Sequence, residues 1–118
     1  TIAVRSIVGR LLEHSRIFWF HSGGAPRVFI GSADLMERNL DRRVEVLCPI
    51  HDVEIADHLR HVVLTTLLRD VTRAHVLKSN GTYVPAESVE PDQPSVDAQD
   101  LLLEWYTAEH QAATDMAM

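Results

Sequence analysis

The order of apolar and polar residues predicts an α/β fold, on three observations. Short apolar runs of strand length, Ile17 to Phe20 and Val28 to Ile30, flank the turn-forming string Ser22-Gly23-Gly24-Ala25-Pro26. Apolar residues recur at helical spacing at Ile55, Leu59, Val62, Val63, Leu67 and Val71, and again at Ala98, Leu101, Leu102, Trp105 and Tyr106. The two kinds of segment alternate along the chain, which is the pattern of a sheet flanked by helices.

Taken in order, Val4, Ile7, Val8, Leu11 and Leu12 predict a short amphipathic helix over 4–12, with His14 leaving its end. The next two runs form a hairpin that starts at His14 and Arg16 and returns the chain to the same end at Gly31. His21, near the turn, is then a surface residue far from His14. Residues 34–43 are polar and suit a short irregular helix or turn. Val44 to Ile50 alternates as a strand, with Val44, Val46 and Cys48 on one face and Pro49 closing it. Asp52 is an N-cap for a helix over about 52–71. Ser79-Asn80-Gly81 marks a hairpin within 74–84, because Asn-Gly accepts the positive φ angles of a tight turn. Residues 85–94 form a polar acidic loop, Ser95 caps a last helix over about 95–112, and the chain frays from Ala112.

A chain of 118 residues suits one domain with one core, burying roughly two-thirds of its unfolded surface. Its 46% hydrophobic and 24% charged residues are ordinary for a globular protein, and no run approaches a membrane span. No signal peptide is apparent, and the single cysteine, Cys48, sits in an apolar run where packing is its expected role. These features suit a reducing, cytoplasmic setting, with peripheral membrane association left open. The chain opens on Thr1 within a motif, so it reads as a piece of a longer protein.

The net charge of −6 is unevenly spread. Residues 1–46 hold seven Arg against five Asp and Glu, residues 47–80 balance, and residues 81–118 carry eight acids and no Lys or Arg. The cations therefore gather near His14, while the acidic tail is expected to face water away from it. A general nucleic-acid binder would show a broader basic surface, so none is expected as a partner.

The chemistry-bearing stretch pairs His14 and Arg16 with Gly31-Ser32-Ala33-Asp34, followed by Arg38, Arg42 and Arg43. Small residues at a strand end let backbone N–H groups approach an anion as a nest. Arginine offers phosphate a planar fork of donors and keeps its charge at any working pH. Phosphoryl transfer needs little beyond such charges and good positioning. His58 and His61, three apart on a helix with His51 nearby, lack an acidic or cysteine partner at convincing spacing, and no metal site is expected there.

The strings Val4-Arg5-Ser6-Ile7-Val8-Gly9-Arg10-Leu11-Leu12-Glu13-His14-Ser15-Arg16 and Ile30-Gly31-Ser32-Ala33-Asp34-Leu35-Met36-Glu37-Arg38-Asn39-Leu40-Asp41-Arg42-Arg43-Val44-Glu45-Val46 resemble the C-terminal part of bacterial, phosphohistidine-forming polyphosphate kinase. The likeness is specific over residues 2–50 and looser over the later helices. It implies a phospholipase D-like sheet flanked by helices, one half of a larger catalytic core, with residues 1–118 a C-terminal catalytic fragment. It implies reversible transfer of the terminal phosphoryl of ATP to polyphosphate, with Mg²⁺, through a phosphohistidine outside this chain. On the same resemblance His14 is a catalytic residue that also contacts ATP phosphate. Arg43 matches an arginine near the nucleotide phosphates, Arg16 and Ser32 take phosphate-binding places, and Asp34 orients His14 or an arginine. Glu37 departs from the small residue or proline often found at its position. The implied partners are ATP, polyphosphate and the rest of the kinase chain, in a homo-oligomer of the intact enzyme. The isolated fragment is expected to be inactive. Two other readings stand beside this one: a homodimeric phospholipase D-like phosphodiesterase or nuclease, and a non-catalytic interaction domain.

Overall fold

The computed structural model describes residues 2–117, Ala117 by its backbone alone. Its strands and helices are β1 Arg5–Ile7, β2 Ile17–Phe20, β3 Arg27–Gly31, α1 Glu37–Arg42, β4 Leu47–Ile50, α2 Val53–His58, a π-helical stretch Leu59–Leu64, α3 Thr65–Leu68, β5 Ala74–Leu77, β6 Tyr83–Pro85, α4 Ala86–Val89 and α5 Ala98–Ala117. The α/β class is the observed one. The strands form two three-stranded antiparallel sheets, ordered β1-β5-β6 and β2-β3-β4. Where one core was expected, the chain divides into two compact units, one from Glu13 to Leu64 and the other from the segments up to Leu12 and from Thr65 onward.

The first unit is built on the expected hairpin. Ile17 pairs with Ile30 and Phe20 with Arg27, and the connection carries positive φ at Ser22, Gly23 and Gly24. Strand β4 then pairs on the other side of β3, from Val28 against Ile50 to Gly31 against Leu47. Pro49 lies within this strand rather than closing it, which an edge strand permits because proline lacks only a donor. The expected strand start at Val44 is wrong: Val44 is wholly exposed and Val46 largely so. Asp52 does cap α2, its side chain accepting the Ile55 N–H at 3.0 Å. Beyond His58 the helix widens into the π-helical stretch, which the apolar spacing did not reveal. Arg60 on that stretch lies 4.4 Å from the Trp19 ring centre, a cation–π contact that joins helix to hairpin. Val28 and Val63 are buried here.

In the other unit the expected helix over 4–12 is replaced by β1, which pairs with β5 from Arg5 against Val76 to Ile7 against Ala74. The apolar spacing suited a helix, but Val4, Ile7 and Val8 are β-branched residues that fit a pleated surface. Pairing with a strand far along the chain decides between the two. Hairpin β5–β6 occurs as expected, through a longer connection: Gly81 alone takes positive φ, and Asn80 Oδ1 accepts the Thr82 N–H at 3.1 Å. The acidic stretch after it is not all loop, since Ala86–Val89 is helical.

Asp70 joins the elements of this unit. Fully buried, it accepts N–H bonds from Arg73 (2.7 Å) and Ala74 (3.0 Å) through Oδ1, and from Ala98 (2.7 Å) through Oδ2. Val71, Ala74 and Ala86 form the small core beside it, with Ile7 and Val76 packed against them. Helix α5 is capped two residues later than expected: Asp97, not Ser95, accepts the Asp100 N–H, while the Ser95 hydroxyl meets that of Thr72 at 3.1 Å. Of its expected inner stripe, Ala98 is buried and Leu102 and Trp105 are half-buried, but Leu101 and Tyr106 are exposed. The helix continues through the stretch expected to fray. Among the described residues no helix is long and apolar enough to cross a membrane.

Candidate phosphate site

The hairpin register sets the site. Because Ile17 faces Ile30, the residues just outside the ladder, Arg16 and Gly31, stand side by side, and the Gly31 N–H donates to the Arg16 carbonyl at 2.9 Å. The two halves of the motif are thereby joined at one end of the sheet. Arg16 Nε donates to Asp34 Oδ1 at 2.8 Å, and its Nη1 donates to the His14 carbonyl at 3.2 Å. Asp34 thus orients Arg16. The hydrogen bond from Arg16, with the nearby charges of Arg38 and His14, holds the Asp34 carboxyl below its ordinary range.

Ahead of Arg16, the chain passes through exposed His14. The Ser15 N–H donates to Glu13 Oε1 at 2.9 Å, and bonding to Ser15 lowers the Glu13 carboxyl. This local side-chain-to-backbone bond brackets His14, whose side chain is exposed.

Ser32 stands differently from its expected role. Its N–H donates to the Val46 carbonyl at 3.0 Å, and its hydroxyl donates to Glu45 while accepting the Val46 N–H at 3.0 Å. Both donors of Ser32 are committed to closing the loop, so it offers phosphate neither. The same holds for part of the expected backbone nest, since the Gly31 and Ser32 N–H groups donate to the carbonyls of Arg16 and Val46.

Glu45 and Asn39 are the residues that the sequence did not single out. Asn39, only 4% exposed on α1, donates its amide to Glu45 Oε1 at 2.9 Å. Hydrogen bonds from Ser32 and Asn39, then the charges of Arg43 and Arg16, lower the Glu45 carboxyl. Arg43 itself is exposed and extended at the end of α1. Nothing local marked Glu45, because alternation over 44–50 merely turned it away from the valines. Beside it opens an apolar recess of about 520 Å³ that includes Phe18, Phe20, Leu35, Leu40 and Leu47.

Among the described residues no group of three His, Cys, Asp or Glu side chains could hold a metal ion. Asp34 and Glu45 are already engaged by protein donors, Asp34 by Arg16 and Glu45 by Ser32 and Asn39.

The chain that carries this hairpin has known relatives. Residues 1–99 match the family described as polyphosphate kinase C-terminal domain 2. The chain belongs to this family. A polyphosphate kinase from Synechocystis is 48% identical over 92 residues, covering 78% of this chain and 12% of that protein. One from Parasynechococcus marenigrum is 41% identical over 105 residues, 89% of this chain and 15% of that protein. The crystal structure of polyphosphate kinase from Porphyromonas gingivalis superposes with a TM-score of 0.81 at 34% identity, over 93% of this chain and 16% of that one. The chain therefore spans a small part of the length of the polyphosphate kinases that it matches.

Proposed function

We propose that this chain supplies one wall of an ATP–polyphosphate phosphotransferase site whose remainder lies elsewhere in a longer protein. The reading is carried by the hairpin end where Arg16 bonds Asp34 and the backbone carbonyl of His14, with Arg43 at the end of α1, in a chain of the polyphosphate kinase family. Arg16, held by Asp34, and Arg43 offset the charge of the ATP phosphates. His14 handles charge or a proton at the transferred group. The terminal P–O bond of ATP breaks as a P–N bond forms to a histidine outside this chain. That bond then breaks as a terminal polyphosphate oxygen attacks, and each step runs in reverse. Mg²⁺, which shields phosphate charge when bound, is assigned to parts of the protein outside this chain. We place the intact enzyme in the cytoplasm as a homo-oligomer.

Exposed apolar side chains support the role of a part within a larger body. Leu35, Leu40, Val44 and Val46 lie on the surface around the site, an arrangement that a free-standing domain avoids. The test is polyphosphate synthesis from ATP by the intact protein. His14→Ala and Arg43→Ala each lower it by orders of magnitude without unfolding, whereas near-normal rates remove these residues from the site. The 118-residue chain alone is inactive. Phosphodiester cleavage by that chain as a dimer, lost in His14→Ala, would replace this reading with the diesterase one.

A further inference from the structure

Resting on the phosphotransferase reading, we propose that Glu45 is a positioning residue of the site: its carboxylate latches the loop that carries Asp34, Arg38 and Arg43. Two segments meet on it. The Ser32 hydroxyl donates to one oxygen from a position thirteen residues away in the chain, at the end of β3. The amide of Asn39, on α1, donates to the other oxygen at 2.9 Å. Just after Glu45, Val46 exchanges bonds with the backbone and the hydroxyl of Ser32, each at 3.0 Å. The loop is thus closed at its two ends and tied to its middle by one side chain.

The two partners, as they stand, donate to a carboxylate. A carboxylate only accepts, and here it meets two donors, one on each oxygen. A neutral amide of the same shape has a single acceptor for the Asn39 N–H and could meet the Ser32 hydroxyl only by donating to it, which reverses that bond and removes its charge. The Asn39 amide orientation follows from the same rule, because its oxygen cannot face Glu45. Charge adds direction. Arg43, two residues before Glu45, and Arg16, across the hairpin end, both attract this carboxylate. Between them the latch fixes the segment bearing one arginine and the loop bearing the other's partner, Asp34. Ser32 acts on ATP through this latch, its two donors being spent there.

The experiment uses the intact protein with Glu45→Gln, Glu45→Asp, Ser32→Ala and the Glu45→Gln/Ser32→Ala double variant. Steady-state polyphosphate synthesis is measured against ATP concentration, and amide hydrogen exchange over residues 32–46 in the same samples. Glu45→Gln is expected to raise the KM for ATP about tenfold, the scale of one charge-assisted hydrogen bond. The kcat should change by less than about threefold, as for binding shared by ground and transition states. Exchange over 32–46 should quicken, Glu45→Asp should recover part of the KM, and the double variant should be no worse than Glu45→Gln. Faster exchange with an unchanged KM would reduce Glu45 to a structural tie and overturn the proposal, as would fully additive losses in the double variant. Absence of synthesis by the wild-type protein sinks the phosphotransferase reading and this inference with it. An active wild type with an unchanged Glu45→Gln KM sinks this inference alone.

Discussion

Replacing Asp70 by asparagine changes one atom at the most buried polar junction of the chain. The carboxylate accepts three N–H bonds at 2.7, 3.0 and 2.7 Å, and two of the donors, on Ala74 and Ala98, belong to buried residues. Asparagine keeps one acceptor oxygen. It can serve Arg73 and Ala74 together, or Ala98, and its amide N–H groups then confront the donor left over. A buried donor without an acceptor costs about 1–3 kcal/mol, and hydrogen bonds to a charged group contribute about 1.5–3 kcal/mol each. The expected loss is therefore about 3 kcal/mol for Asp70→Asn and more for Asp70→Ala, which removes all three acceptors. At roughly 4–8 °C per kcal/mol for a unit of this size, the transition of this unit should fall by more than about 10 °C. Urea unfolding followed by Trp105 fluorescence in a Trp19→Phe background reads the unit that contains Asp70. A loss below about 1 kcal/mol in both variants would show that the three bonds contribute far less than their geometry implies.

Other expectations follow from the same contacts. Asp34 should titrate below the ordinary aspartate value of 3.8, because the Arg16 hydrogen bond favours its charged form. Its pairing is then complete above 3.8 and is lost only as pH falls through the lower folded value; a carboxyl carbon shift that titrates at or above 3.8 refutes the pairing. Asp34→Asn in the intact protein should raise the KM for ATP, and unchanged kinetics would detach Arg16 from phosphate. A Cβ at Gly9 would lie 2.2 Å from Gln99 Oε1, which accepts the Leu11 N–H while its amide donates to the Leu11 carbonyl at 2.6 Å. Gly9→Ala should therefore cost about 1–2 kcal/mol by breaking this pair, and should add nothing in a Gln99→Ala background by denaturant unfolding. Gly81→Ala, at φ +83°, should cost about 1 kcal/mol in the same assay, and no loss there would mean that the turn accommodates a side chain.

The sequence by itself determined what depends on neighbours in the chain. The hairpin 17–31, the Asp52 cap, the Asn80-Gly81 turn and the joining of Arg16 to Gly31 follow from local turn chemistry and a period of two. The sequence also shows the arginines gathered along the same stretch as His14, since ordered strings of residue types are legible without coordinates. Tertiary structure decided what depends on distant partners. Residues 5–7 became a strand because β5 was there to pair with them, and the helix start moved to Asp97 because Asp70 claims the Ala98 N–H. Ser32, expected at phosphate from the sequence, donates its hydroxyl to Glu45, which lies thirteen residues away and is unremarkable in its own strand pattern. A side chain's hydrogen-bonding capacity is written in the sequence, but which partner satisfies it is settled only when the chain closes on itself.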